Sequence, residues 1–318
     1  MKGVKFMGVT VFCAAMVAVV ALAAIRYKEN TLVNPCEKLT TYSKLAGDPA
    51  EIIYDKEKQI IEPFAYFDDL YYVGLAWVGA YLLDTGDGLI LIDTLHDPYV
   101  QVGQSNIKKL GFSPKDIKYV IVTHGHFAHV GGAACYHNKY GAKVIMTDAA
   151  HRKTKLDRNQ KDFPITAPTV SRYVSDGDVL TLGDKTIKFY ETPGHSKGAL
   201  SLEFTVKDRG KEYTAFMLGG VGVYSRKPEG FDEFIATVNR VIGIVKDDNV
   251  TVGVIGHPMT ANDLIKVGPS LSKRPNGQPH PFVDQKAYLE WLAKLKRDTE
   301  MKKKELLEDE KAGETATL

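Results

Sequence analysis

The sequence predicts an α+β fold in which two β-sheets pack face to face and helices cover their outer surfaces. Three observations support this. Short apolar and β-branched runs alternate with amphipathic stretches in the order strands, helix, strand, helix, strand, then strands, helix, strand, helix. Each half thus follows one plan, strands first and helix after. Neither an internal repeat nor a Pro/Gly-rich linker divides the chain beyond its N-terminal arm.

The elements follow in order. Ala65-Tyr66-Phe67, Leu70 to Gly74 and Ala80 to Leu83 read as antiparallel strands, separated by turn signals from Leu89-Ile90-Leu91-Ile92-Asp93. Pro98 to Leu110 places Val100, Val102, Ile107 and Leu110 at roughly helical spacing and is stopped by Gly111. The run Tyr119-Val120-Ile121-Val122 is the next strand, Gly131 to Tyr140 a helix stopped by Gly141, and Ala142 to Met146 a strand. Arg152 to Pro168 reads as a polar loop. Strands return at Val170 to Val174, Val179 to Leu182, Thr186 to Tyr190, Leu200 to Val206 and Tyr213 to Leu218. Phe231 to Val245 is amphipathic, Val252 to Ile255 is a last strand, and Tyr288 to Leu295 lies in a C-terminal helix packed on the sandwich. Lys296 to Lys311 is mostly charge, as in a solvated helix end or tail.

Composition bounds the rest. Of 318 residues, 44% are hydrophobic and 25% charged, so the chain can bury a sizeable core and disorder is not the default. The net charge of +2 gives no electrostatic argument for nucleic acid as a partner. No Walker loop or dinucleotide fingerprint is present. Lys2 and Lys5 precede an uncharged run from Phe6 to Ile25, closed by Arg26 and Lys28. This reads as a secretory signal cleaved near Ala23 or Ala24, or as an uncleaved anchor that would touch the membrane through residues 6–25. Either way the expected location is periplasmic, secreted or membrane-anchored. The expected organisation is a leader over residues 1–25, an arm over 26–59, the main domain over 60–296 and a charged tail over 297–318. Cys36 and Cys135 remain after cleavage and could pair in an oxidising compartment. The sequence carries no signal of oligomeric state.

The chemistry concentrates after the strand at Tyr119, in Thr123-His124-Gly125-His126-Phe127-Ala128-His129-Val130-Gly131-Gly132. A strand ending in three closely spaced histidines can aim several neutral nitrogens at one point, as a hydrolytic zinc site needs. His195, in Thr192-Pro193-Gly194-His195, and His257, in Ile255-Gly256-His257-Pro258, also follow strands, each behind a glycine that permits a tight turn. Together these are five imidazoles on strand-to-loop junctions, the provision a two-metal site requires. His96, His137, His151 and His280 lack that setting and are taken as surface residues or as supports of the ligands. Ala128 stands where a carboxylate ligand would be expected.

The set His124, His126, His129, His195 and His257 resembles the metallo-β-lactamase superfamily, whose pattern is H-x-H-x-D-H followed by two separate histidines. The likeness runs from about Glu62 to Leu295. The segments Glu62-Pro63-Phe64, Leu70-Tyr71-Tyr72-Val73-Gly74, Leu91-Ile92-Asp93-Thr94, Thr192-Pro193-Gly194-His195 and His280-Pro281-Phe282-Val283-Asp284 are similar to the subclass-three zinc β-lactamases. The resemblance implies an αββα sandwich with two Zn2+ at one edge. His124, His126 and His195 would hold the first; His129 and His257 would hold the second with an aspartate at the position of Ala128. It further implies a metal-bound water that attacks a carbonyl, Asp93 as the carboxylate orienting a ligand histidine, and Gly220 in the substrate pocket. Asp93 could equally be an ordinary strand-end turn residue.

Two departures matter. Gly220 stands where many superfamily members carry a bridging aspartate, which the β-lactamases also lack. Ala128 removes the carboxylate that would complete the second site, leaving it weak. A one-zinc hydrolase, a natural relative without catalysis and a laboratory replacement of the aspartate are the three explanations, with Asp148 or His151 as possible substitute ligands. The expected function is hydrolysis of a small-molecule cyclic amide, a β-lactam first. The alternatives are hydrolysis of another extracytoplasmic amide, lactone or ester, and a catalytically impaired zinc-binding relative.

Overall fold

The structure, a computed structural model, describes residues 56–157, 165–258 and 264–315. The leader, most of the arm and Cys36 lie outside these residues. A one-turn helix α1 (Lys56–Gln59) leads into a seven-stranded sheet ordered β1-β2-β3-β4-β5-β6-β7. Its strands are β1 (Phe64–Ala65), β2 (Leu70–Tyr72), β3 (Tyr81–Asp84), β4 (Leu89–Ile92), β5 (Ile117–Ile121), β6 (Lys143–Met146) and β7 (Val170–Tyr173). Strands β1 to β4 pair antiparallel, while β4 to β7 pair parallel. The parallel crossovers carry α2 (Val100–Lys109), α3 (Phe127–Val130), α4 (Ala133–Tyr140) and α5 (Asp148–Asp157).

The second sheet is ordered β12-β11-β10-β9-β8. It comprises β8 (Val179–Leu182), β9 (Lys185–Glu191), β10 (Leu200–Asp208), β11 (Lys211–Met217) and β12 (Val252–Val254). Helix α6 (Pro228–Asp247) connects β11 to β12, which pair in parallel. The short α7 (Leu264–Val267) and the long α8 (Gln285–Thr315) complete the chain.

The side-chain period of two explains the layering. In β4 all four residues are buried: Leu89 and Leu91 enter the apolar layer under the helices, Ile90 and Ile92 the layer between the sheets. Tyr81 and Leu83 of β3 join that inter-sheet layer, as does Ile145 of β6, while Leu82, Val144 and Met146 face the helices. Leu200, Leu202, Phe204 and Val206 of β10 close the inter-sheet core from the other sheet. A third layer forms where Phe234, Val238, Val241 and Val245 of α6 and Leu292 of α8 cover Phe216. Fully burying each such side chain contributes about 1.5–3 kcal/mol. The predicted α+β sandwich, helices outside two sheets, is therefore the observed architecture.

Two expectations are corrected, and of the two readings of the charged C-terminal stretch the helix end is the one observed. The segment read as a polar loop from Arg152 begins inside α5, which starts at Asp148. Thr147 Oγ1 accepts the Ala150 N–H at 3.1 Å, capping that helix. The helix expected over Gly131–Tyr140 is α4, which begins two residues later at Ala133, and the unexpected one-turn α3 precedes Gly131-Gly132. The charged stretch from Lys296 continues α8 without a break to Thr315. It is laced by i,i+4 pairs such as Lys296–Glu300 and Lys304–Glu308. Among the described residues no helix is long and apolar enough to cross a membrane; residues 6–25 lie outside them. Cys135 is disulfide-bonded.

Candidate metal centre

The site forms where β4, β5, β9 and β12 end at one edge of the sandwich. After β4 the chain turns through Asp93 in the left-handed region, φ 60°, which a side chain tolerates only when its surroundings hold it there. Two bonds from Thr123 do so. The Thr123 N–H and its hydroxyl donate to the two Asp93 carboxylate oxygens, each at 2.8 Å. Asp93 is fully buried, so its charge needs such donors. Its Oδ2 also lies 2.7 Å from His129 Nδ1. The orienting role implied for Asp93 thus has a physical basis here.

His124 follows Thr123 directly, and His124 Nδ1 lies 3.1 Å from the Thr123 hydroxyl. That hydroxyl already donates to Asp93, so Nδ1 carries the proton and Nε2 the lone pair. His195 is positioned by Gly194, whose φ of 118° and approach to Phe234 leave no room for a side chain: a Cβ there would sit 2.5 Å from Phe234 Cα. His195 Nδ1 donates to the Gly222 carbonyl at 3.0 Å, which turns Nε2 inward. His126 brings Nδ1 to 3.1 Å from His195 Nε2, and His195 Nε2 is 3.1 Å from His124 Nε2.

These three nitrogens all belong to one cluster, their atoms within 4.8 Å of one another. Tetrahedral zinc–nitrogen bonds of ~2.0–2.1 Å place nitrogens about 3.3 Å apart, close to the spacing found. Converging lone pairs, with the opposite nitrogens of His124 and His195 already engaged, are what a cation would satisfy, and the donor set suits zinc. Burial supports the same state. His124 and His195 are 0% and 4% exposed. Burial first, and then the neighbouring imidazoles, holds His124 well below its ordinary pKa. Burial and His195 push His126 down to about 2. For His195 burial outweighs the Gly222 bond and leaves it at about 4. All three are neutral, ligand-competent imidazoles at pH 7.

The second pair is less complete. His129 Nε2 and His257 Nε2 are 3.2 Å apart. His257 Nδ1 donates to the Trp77 carbonyl at 3.3 Å, and the Trp77 ring stacks on the imidazole at 6.0 Å. Burial pushes His257 down to about 3. Ala128 is buried among apolar side chains in the layer below and offers no ligand atom. Neither candidate substitute supplies one: Asp148 pairs with Arg152, and His151 Nδ1 lies 2.6 Å from the Tyr173 hydroxyl. The first triad fits a metal; the second pair alone does not make a closed site.

Gly220 is not among the residues lining the cavity over His126 and His195. It is buried behind His195, where a Cβ would sit 2.3 Å from the imidazole Cδ2. Of the four outlying histidines, read as surface residues or as supports of the ligands, three are not at the surface. His280 is buried with Nε2 2.8 Å from the Tyr66 carbonyl, His151 is buried on α5, and His96 is buried between Trp77, Tyr99 and Phe127. Only His137 is partly exposed, with Nδ1 donating to the Ala142 carbonyl at 3.0 Å. Sequence reasoning missed Trp77, which supports His257, and Tyr224, whose ring lies 5.3 Å from that of His126 and 5.2 Å from that of His195. It also missed α5, whose Thr147 cap followed by Asp148 was a legible helix start.

A family model described as the metallo-beta-lactamase superfamily matches residues 78–209. Among solved structures, BJP-1, a subclass B3 metallo-beta-lactamase of Bradyrhizobium japonicum, is 27% identical with a TM-score of 0.71, covering 80% of this chain and 98% of that one. The FEZ-1 metallo-beta-lactamase of Legionella gormanii is 26% identical with a TM-score of 0.70, covering 78% and 98%. An N-acyl homoserine lactonase of Bacillus thuringiensis is 26% identical over 60% of this chain and 85% of its own length. A hydroxyacylglutathione hydrolase of Maricaulis maris is 33% identical over 33% of this chain; the matched part spans only 35% of that protein.

Proposed function

We propose that this chain, whose residues 78–209 match the metallo-beta-lactamase superfamily model, is a hydrolase that opens a cyclic amide, a β-lactam first, with zinc held by His124, His126 and His195. The single observation that carries the reading is the convergence of three neutral imidazole nitrogens, those of His124 and His126 each 3.1 Å from that of His195, beside a cavity open to small molecules. Likeness to subclass B3 β-lactamases over nearly their whole length supports a β-lactam over the acyl homoserine lactones and hydroxyacylglutathione named for the other relatives.

When bound, zinc would supply a Lewis acid for the carbonyl and a water nucleophile available at neutral pH. The chain's own residues do the remaining work. The Gly222 carbonyl and the Thr123 hydroxyl fix the tautomers of His195 and His124, so both present lone pairs without reorganising. Asp93 holds His129 in the orientation that faces His257. Tyr224 covers the outer side of His126 and His195 and narrows the approach.

Ala128 favours a second reading, a zinc-binding relative with impaired catalysis. The two separate in one experiment. Purified protein with added zinc is assayed on a chromogenic cephalosporin beside a panel of lactones and esters, with metal content measured in parallel. Cephalosporin turnover is the expected result; preferential lactone or ester turnover moves the substrate class. About one zinc per chain with no turnover of any member, before and after Ala128→Asp, establishes the non-catalytic reading.

A further inference from the structure

A fully buried serine stands where the pattern of β10 asks for an apolar residue. Leu200, Leu202, Phe204 and Val206 face the layer between the sheets, so the period of two turns Ser201 to the opposite side, the side on which Phe216, Phe234 and Val238 pack. Ser201 is 0% exposed, and a hydroxyl withdrawn from water costs free energy unless it is hydrogen-bonded. Ser201 Oγ has two partners, and both lead to His195.

The Gly219 N–H donates to Ser201 Oγ at 2.9 Å. Gly219 opens the segment Gly219-Gly220-Val221-Gly222, whose last carbonyl accepts the His195 Nδ1 proton at 3.0 Å. Ser201 Oγ also lies 2.7 Å from Thr192 Oγ1, a bond between two buried hydroxyls. Thr192 opens the turn Thr192-Pro193-Gly194-His195, which Thr237 of α6 braces by donating to the Pro193 carbonyl at 2.6 Å. One hydroxyl thus joins the segment that carries the ring to the segment that fixes its tautomer. The preceding residue serves another ligand. The Leu200 N–H donates to the Thr123 carbonyl at 2.8 Å, and the Thr123 hydroxyl is the group beside His124 Nδ1. Only glycine fits at position 219, where a Cβ would lie 2.2 Å from the Leu200 carbonyl oxygen.

We infer that Ser201 is a positioning residue for the first metal position: its hydroxyl ties the turn carrying His195 to the loop that orients it, and so sets where His195 Nε2 stands against the nitrogens of His124 and His126. The inference rests on the reading of that triad as a metal site, but not on which bond is hydrolysed. Without the hydroxyl, the buried Gly219 N–H loses this acceptor and the Thr192 hydroxyl this partner, and the two segments shift to satisfy them elsewhere.

Cobalt(II) is the probe, because its visible absorption reports ligand geometry and its binding needs no turnover. The metal-free full chain is titrated with cobalt kept below the protein concentration, so that the complete triad fills before the weaker pair. Wild type is compared with Ser201→Ala, with Thr192→Val, which removes a hydroxyl but keeps the shape, and with Thr192→Ser, which keeps the hydroxyl. Ser201→Ala and Thr192→Val should each weaken cobalt about tenfold, the scale of losing a partner behind a ligand, and change the absorption bands. The double variant should do no more than Ser201→Ala alone, and Thr192→Ser should keep the wild-type affinity and bands. Tyr190→Phe removes a hydroxyl bond to Glu203 from the residue paired with Ser201 in β9. It should leave the bands unchanged whatever it does to the melting temperature. If circular dichroism shows that Ser201→Ala does not fold, the Thr192 pair decides. Wild-type affinity and bands in either folded hydroxyl-loss variant, or additive effects in the double variant, overturn the inference while the metal reading stands. A wild type that binds no cobalt overturns both. Cobalt binding without turnover of any β-lactam, lactone or ester leaves both standing and removes only the hydrolase reading.

Discussion

Asp93 Oδ2 lies 2.7 Å from His129 Nδ1, and the same carboxylate takes both donors of Thr123, whose hydroxyl in turn meets His124. One buried anion therefore orients a histidine of the triad and a histidine of the His129–His257 pair, the two proposed metal positions. It reaches the second directly and the first through a single hydroxyl.

Asp93→Asn tests that arrangement. The amide has one acceptor where the carboxylate has two, so its NH2 must face either Thr123 N–H or the shared corner of Thr123 and His129. Zinc affinity should fall about 10- to 100-fold, with the weaker site most affected. Competition with a chromogenic chelator measures both steps. An unchanged affinity at both would show that Asp93 serves only the turn.

Ala128→Asp should raise zinc content from about one to about two per chain, because a carboxylate completes the His129–His257 pair. Ala128 is 3% exposed among apolar side chains, so the metal-free variant should be less stable than its parent. Added zinc should restore the difference, which thermal melts with and without metal will show. Cephalosporin turnover should rise with the second zinc.

How much of this was readable in the chain depends on whether partners are sequence neighbours. His124, His126 and His129 announce themselves because a strand ends directly before them, and Gly194 and Gly256 mark the other two turns. The apolar run Leu89-Ile90-Leu91-Ile92 reads as a strand, and the structure shows β4 buried on both faces. By contrast, Trp77 meets His257 across 180 positions, and no local pattern reports that contact. Only the resemblance puts Gly220 in the substrate pocket; its physical role in the structure is the space it leaves for the His195 ring. Helix α5 was lost to composition. Its polar residues face a cavity, so the apolar period that marks α6 is absent.

Gly220→Ala follows from that last point. A methyl at 2.3 Å from His195 Cδ2 is inside contact distance, so the imidazole must move away from its bond with the Gly222 carbonyl. Movement of this ligand should weaken the first zinc by at least about tenfold while leaving the fold intact, an effect comparable to removing a partner of a ligand. Metal titration with circular dichroism as a control checks both halves. Wild-type affinity would mean the ring has room that the structure does not show.

The pH dependence of the metal-free protein should run in one direction. The unfolded chain binds protons at its histidines near pH 6.5. Folded His126, His195 and His257 resist protonation until about 2, about 4 and about 3, chiefly through burial. Between those values the unfolded state holds more protons, so stability rises with pH across that window. The contribution is complete above about pH 6.5 and is lost progressively as pH falls, by about 1 kcal/mol per pH unit for each histidine. Chelator-treated protein should therefore melt at steadily lower temperature from pH 7 to pH 5. Over the same range the folded ligands stay neutral, so zinc affinity measured on the folded chain should change little. A melting temperature that is flat from pH 7 to pH 5 would show that these imidazoles are open to water rather than buried together.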